Sequence, residues 1–336
     1  MQEAARPASP PLEAYLPAVL ALGALAVVGV GVHVLDPGRS PEAANFGIVF
    51  TSLLVEAIPF VLLGAVVSAL IEVSVPPRFF ERAATLPAGL QLPAAALAGL
   101  AFPVCECGSV PVARRLVAKG LSPAAAVAFM LSAPVLNPVV VASTVVAYSG
   151  RDSFWPIVAG RVGLGMIVAM SVGWVVGWRS GAELLASRSS EAVTSETAHE
   201  TDHGKVAGFF EHLASDFMFM GRFLVLGAAV AAALQTFVPQ SAFGSLTDIP
   251  VVSLVAMMGL AFVLSLCSES DAFVAASFVQ FGVGAQLAFL VFGPMVDTKL
   301  SVLYSGTFNR AFFRTVLIAV TAVTLAGSLW IEVLFG

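Results

Sequence analysis

The sequence predicts an all-α polytopic membrane protein of two inverted repeats. Each repeat is expected to hold about three spans and a re-entrant hairpin broken at a cysteine-containing tip, with one extra span at the N-terminus. Three observations predict this. Of 336 residues, 58% are hydrophobic and only 11% charged, with a mean hydropathy of +0.94, whereas a soluble domain carries about 25% charged residues because its surface faces water. The apolar residues lie in runs of about 20 or more, enough to cross a hydrocarbon core of about 30 Å. The second half of the chain also repeats the first in register.

Four regions follow. Residues 1–40 hold a Pro-containing tail, MQEAARPASPPLE, and an apolar stretch near 14–35. That stretch is too long for a signal-peptide core and lacks a small-x-small cleavage pattern, so it is expected to remain as a transmembrane helix. Residues 41–179 form the first membrane repeat, with apolar segments near 46–73, 122–148 and 154–178. Residues 180–206, containing SRSSEAVTSETAHETDHGK, read as a solvated cytoplasmic linker. Residues 207–336 form the second repeat, with segments near 208–237, 282–306 and 311–335. Two further stretches, 90–120 and 250–280, are apolar but interrupted, by Cys105-Glu106-Cys107-Gly108 and by Cys267-Ser268-Glu269-Ser270-Asp271.

The repeat is visible residue by residue. Gly99-Leu100-Ala101-Phe102 recurs as Gly259-Leu260-Ala261-Phe262, an offset of 160 that also pairs Cys107 with Cys267, Pro134 with Pro294 and Asn137 with Asp297. Earlier in each half, Leu63-Gly64-Ala65 recurs as Leu226-Gly227-Ala228, an offset of 163, so the intervening loops differ by three residues. Basic residues follow the first copy (Arg78, Arg82; Arg114, Arg115, Lys119), yet their counterparts near 239–249 and 274–280 carry no Lys or Arg. The positive-inside rule then puts equivalent loops on opposite sides. Three crossings plus a hairpin per half satisfy this, because an odd number of crossings inverts the second copy. Full crossing by the interrupted stretches, giving nine or more spans, is the alternative. Inverted repeats with helices broken near the midplane are a secondary-transporter architecture.

The residues with chemistry to offer sit at the interruptions. Cys105 and Cys107 flank Glu106, and Gly108 is free to take unusual backbone angles. Two thiols this close suit a soft centre such as trivalent arsenic or a d10 metal; with Cys267 a three-sulfur site is conceivable. Pro134, Asn137 and Pro138, with Pro294 and Asp297, interrupt their own spans, and proline frees a carbonyl one turn earlier. Freed groups at membrane depth need protein or a water-filled cavity around them. Ionisable residues there are functional by default: Glu56, Glu106, Glu269, Asp271 and Lys299 are assigned to coupling or ion pairing. Arg161 and Arg222 are expected to snorkel to an interface. The four histidines form no ligand cluster, and no P-loop or hydrolase motif is present. No cofactor, resident metal or nucleic-acid partner is expected. The partners implied are a small-molecule or metalloid substrate, membrane lipid and a possible homodimer.

Glu56-x-x-Pro59 followed by FxxLGAxxxxxI, then FPVCECGSVPVARRLVAKGLSPAAAVAFMLSAPVLNP over residues 102–138, resembles the permease family that contains YraQ and the ArsP organoarsenical efflux permeases. The resemblance runs from Glu56 to the C-terminus and is densest over 99–138. It implies a non-enzymatic, multi-pass permease of the bacterial inner membrane, with gradient-driven efflux of trivalent organoarsenicals or arsenite as the activity. Cys105, Cys107, Gly108, Pro111, Pro134, Asn137 and Pro138 match its motif. The second half departs from it, with Ser268-Glu269-Ser270-Asp271 where the first has Gly108-Ser109-Val110-Pro111. A permease for another soft metal or small solute, or a membrane thiol-redox protein, is the alternative reading.

Overall fold

The computed structural model describes residues 41–74, 87–101, 104–177, 205–237 and 250–335. The expected N-terminal span near 14–35 and nearly all of the linker lie outside these residues. The described chain is helical throughout. In the first half the helices are α1 (Pro41–Ser74), α2 (Ala88–Ala101), α3 (Glu106–Ala118), α4 (Pro123–Leu136), α5 (Pro138–Tyr148) and α6 (Phe154–Val176). In the second they are α7 (Lys205–Phe237), α8 (Pro250–Leu264), α9 (Asp271–Ser277), α10 (Val283–Phe292), α11 (Thr298–Thr307) and α12 (Arg310–Phe335). Among the described residues each half therefore holds six helices.

Among the described residues, five stretches are long and apolar enough to cross a membrane: 41–73, 123–148, 154–176, 208–237 and 310–335. The chain is a multi-pass membrane protein. Trp155 and Trp174 stand exposed near the two ends of α6, about 28 Å apart along the axis. That spacing matches the hydrocarbon thickness and the preference of Trp for both interfaces.

The breaks have local causes. The residue before a proline is driven out of the α region, so Asn137 turns extended and α4 stops. Pro138 then opens α5, where its missing N–H costs nothing, and the Asn137 side chain accepts a hydrogen bond from the Val139 N–H at 2.9 Å. Its repeat counterpart does the same work: extended Asp297 caps α11 by accepting from the Leu300 N–H at 2.6 Å. Pro134 lies inside α4, which continues through it, whereas α10 ends at Phe292, two residues before Pro294. Ser265, following α8, takes a left-handed φ of 46°, rare for a residue with a side chain. Its hydroxyl accepts from the Thr298 N–H at 3.1 Å, which ties the break after α8 to the start of α11.

Two glycines at equivalent repeat positions set how closely the long helices approach the breaks. A Cβ on Gly64 of α1 would lie 2.4 Å from the Cα of Gly108 in α3. A Cβ on Gly227 of α7 would lie 2.9 Å from the Cα of Lys299 in α11. Only glycine permits backbones this close, which gives the repeated Leu-Gly-Ala its physical meaning.

Two expectations about charge are corrected. Arg161 does not snorkel: it is fully buried and bonded to Asp271. Arg114 and Arg115 are not loop residues marking a face. They lie inside α3, each 1% exposed, and pair with Asp216 of α7 at 3.4 and 3.2 Å. Arg115 also reaches Glu72 of α1 at 3.4 Å, and the Ser68 hydroxyl donates to Asp216 at 2.6 Å. Lys119 caps the end of α1 by donating to the Ile71 and Glu72 carbonyls at 3.1 and 2.7 Å. Arg222 is exposed, with its guanidinium over the rings of Phe219 and Phe223.

Candidate functional site at the helix breaks

The break before α3 and the break before α9 meet. Cys105 is the residue before α3 and Cys107 lies in its first turn; both are buried. Glu106 between them is 2% exposed. It accepts a hydrogen bond from the Ser268 hydroxyl, in the opposite half, at 2.9 Å. Its second oxygen lies 3.7 Å from the Lys299 ammonium, which is itself 3.8 Å from Asp297. A lysine in the first turn of α11 opposes the helix dipole; the two carboxylates account for its position there.

Cys267 is buried, and its thiol donates to Glu269 at 2.8 Å. Glu106, Cys267 and Glu269 each bring one ligand atom within 4.8 Å of the others. The ligand group assembled here is therefore one sulfur with two carboxylates, and not three sulfurs. All three cysteines are free thiols. Glu56 of α1 reaches the same region, accepting from the Ser270 hydroxyl at 3.2 Å. Sequence reasoning set Glu56, Glu106, Glu269 and Lys299 apart from the thiols and Asp297; the fold brings Glu56, Glu106, Cys267, Glu269, Asp297 and Lys299 into one connected set.

Asp271 belongs to a different arrangement. It binds Arg161 of α6 through both oxygens, at 2.8 and 2.7 Å. The guanidinium also donates to the Thr144 hydroxyl at 3.0 Å and the Ser268 carbonyl at 3.2 Å. This bidentate pair joins the first half to the opening turn of α9, one residue from Ser270, whose hydroxyl donates to Glu56. Asn137 and Pro138 make the break between α4 and α5, Pro134 lies within α4 one turn before it, and Gly108 permits the close approach of α1.

Three members of these networks escaped the sequence reading. Asp216 is an ionisable residue within the apolar run 208–237, the same signal that marked Glu56, and it is fully buried. Ser268 and Ser270 carry no distinguishing sequence signal, because a serine hydroxyl becomes informative only once its partner is known.

Residues 42–333 match the model of a family described as a predicted permease. The chain belongs to this family. The permease is 39% identical over 285 residues, 84% of its own length and 96% of the relative's, to the UPF0718 protein YcgR of Bacillus subtilis (strain 168). It is 33% identical over 265 residues, 79% of its length and 87% of the relative's, to a Streptococcus mutans (serotype c, strain ATCC 700610 / UA159) protein. The name of that relative provisionally makes it a subunit of a two-component membrane permease complex. No solved structure matches the permease. The match covers both halves, and the breaks lie within the matched residues 42–333.

Proposed function

We propose that the permease exports a small thiophilic solute, a trivalent organoarsenical or arsenite, by alternating access between two inverted repeats. The observation that carries this is the placement of three free, buried thiols at two facing helix breaks, beside carboxylates. Thiols bind trivalent arsenic as soft ligands, and the breaks expose backbone groups that a solute would satisfy. In support of re-entrant hairpins, α2 and α3 both pack on α4, and α8 and α9 both pack on α10. At 14, 13, 15 and 7 residues, these four helices are at most about 23 Å long, short of the hydrocarbon thickness.

The test is growth on arsenite, methylarsenite and a panel of soft metals. Cells expressing the wild type are expected to resist one of the arsenicals, and Cys107→Ser to lose resistance at unchanged protein abundance. Full resistance in Cys105→Ser/Cys107→Ser/Cys267→Ser removes thiol ligation from the mechanism. The inversion is tested by labelling single cysteines in a cysteine-free background from outside intact cells. Asp152→Cys in the loop before α6 and Ser245→Cys, which lies outside the described residues, are expected to label. Ala118→Cys, exposed at the end of α3, is expected to stay unlabelled. Equal labelling at all three sites sinks the inverted arrangement.

Energy comes from an ion gradient in this proposal, with Glu56 as the proton carrier. Glu56→Gln keeps the bond to Ser270 and loses the titratable charge. It is expected to abolish gradient-driven uptake into everted vesicles while exchange of substrate across the membrane persists. Wild-type accumulation in Glu56→Gln vesicles transfers the role to Glu269 or Asp297, and indifference of the wild type to a protonophore rejects proton coupling. The name of the Streptococcus relative brings a second subunit into the proposal. Gentle purification is expected to retain a partner of different sequence; a homodimer would yield one polypeptide at twice the mass.

A further inference from the structure

We propose that Glu106, Cys267 and Glu269 bind a divalent cation of the zinc and cadmium class, and that the Lys299 ammonium is a tethered cation which this ion displaces. The inference rests on the break region being the cargo site and widens the cargo from trivalent arsenic to a divalent ion.

Geometry is the first support. The three ligand atoms lie within 4.8 Å of one another. A tetrahedral ion with bonds of about 2.0–2.3 Å spaces its ligands by roughly 3.3–3.8 Å, so the set closes on an ion with side-chain shifts of about 1 Å. One sulfur with two carboxylate oxygens is a donor set for a borderline ion, softer than calcium or magnesium accept.

Unsatisfied atoms are the second. Oε1 of Glu269 and Oδ2 of Asp297 are buried without a hydrogen-bond partner, and Asp297 is 1% exposed. Buried carboxylate oxygens are costly to leave so. Glu269 is itself one of the three ligands, and its free oxygen belongs to the carboxylate that the Cys267 thiol already contacts.

Charge is the third. Glu106 and Asp297 flank the Lys299 ammonium and Glu269 lies beside Glu106; ionised, the three carboxylates exceed that ammonium by two negative charges, which a divalent ion bound with the Cys267 thiolate reduces to one. An ion on Glu106 repels Lys299 from its position 3.7 Å away. The ammonium has a place to go: Oδ2 of Asp297, already 3.8 Å distant and otherwise without a hydrogen bond. Binding breaks the S–H bond of Cys267, the electron pair stays on sulfur to bond the ion, and the proton leaves. One ion in therefore means one proton out, which would couple ion binding to the proton gradient at this site.

The experiment uses full-length permease purified in detergent, with Cd2+ and Zn2+ as probes. Equilibrium dialysis measures binding, thiolate-to-cadmium charge-transfer absorption reports the sulfur ligand, and a pH indicator reports released protons. The wild type is expected to bind one Cd2+ with the charge-transfer band and one proton released. Cys267→Ser is expected to lose the band and weaken Cd2+ binding at least about tenfold, and Glu269→Gln to weaken it similarly while keeping the band. Lys299→Gln is expected to tighten binding at least about tenfold, because a unit charge near 4 Å is a strong competitor. Gel filtration establishes that each variant is folded, and the gain in Lys299→Gln cannot come from misfolding. Binding unchanged in both Cys267→Ser and Glu269→Gln, or weakened in Lys299→Gln, overturns the proposal. Methylarsenite is assayed on the same samples. Cd2+ binding without methylarsenite binding rejects the arsenical reading alone, and the reverse rejects the cation site alone.

Discussion

Arg161→Met is expected to destabilise the permease by about 3–5 kcal/mol, the cost of leaving one partner of a buried ion pair uncompensated. Arg161 is fully buried, holds both oxygens of Asp271, and also satisfies Thr144 and the Ser268 carbonyl. Methionine fills much of the volume but leaves the Asp271 carboxylate without a cation in a low-dielectric interior. Melting of the detergent-solubilised protein, followed by gel filtration after heating, should fall on the order of 10 °C. Arg161→Met/Asp271→Leu removes both charges and is expected to recover most of the loss, since apolar replacement of a whole buried pair is often neutral. A single variant that melts with the wild type, or a double variant no better than the single, contradicts this account. The pair also joins α6 of one half to α9 of the other, so a recovered double variant with impaired transport would assign the pair a role in movement as well as in stability.

Gly64→Val is the second large effect. Its Cβ would meet the Cα, O and C of Gly108 at 2.4, 3.0 and 3.1 Å. These are backbone atoms, which no rotamer change can move aside. Overpacking costs about 1–3 kcal/mol where side chains can adjust, and here α1 has to separate from α3, carrying Cys107 and Glu106 out of register with Cys267 and Glu269. The expected result is a protein of reduced stability and impaired transport. Gly227→Val should act in the same way through Lys299, whose Cα lies 2.9 Å from the added Cβ. Gly163→Val in α6, where an added Cβ meets nothing within 4 Å, measures the cost of a branched residue in a helix without the clash. Equal behaviour of Gly64→Val and Gly163→Val would show that the close approach is not required.

The helix breaks were legible because their causes are local. Asn137-Pro138 interrupts a helix by the geometry of proline, and Asn137 and Asp297 are both residues that cap. The residues that recur between the halves sit at backbone exceptions: Gly64 and Gly227 each permit a close helix approach, and Asn137 and Asp297 each cap the helix that follows. Membrane placement followed from composition, since the solvent on the outer face decides which residues can stand there.

Pairing of charges was not legible. Arg161 and Asp271 lie 110 positions apart, and Arg114 and Asp216 lie 102 apart. A sequence says that an arginine within an apolar run is expensive, but not whether the expense is met by snorkelling or by a carboxylate from the other half. Arg161 takes the second course. The same holds for the site. Thiols and carboxylates at two breaks could each be named from the chain. That Cys267 joins Glu106 and Glu269, and that Lys299 sits between Glu106 and Asp297, depends on how the two halves pack. Local chemistry and periodicity are properties of neighbours in sequence, and the chain alone determined them. Which charges cancel is a property of neighbours in space, at separations where Coulomb energies in a low dielectric exceed any propensity, and only the tertiary structure decided it.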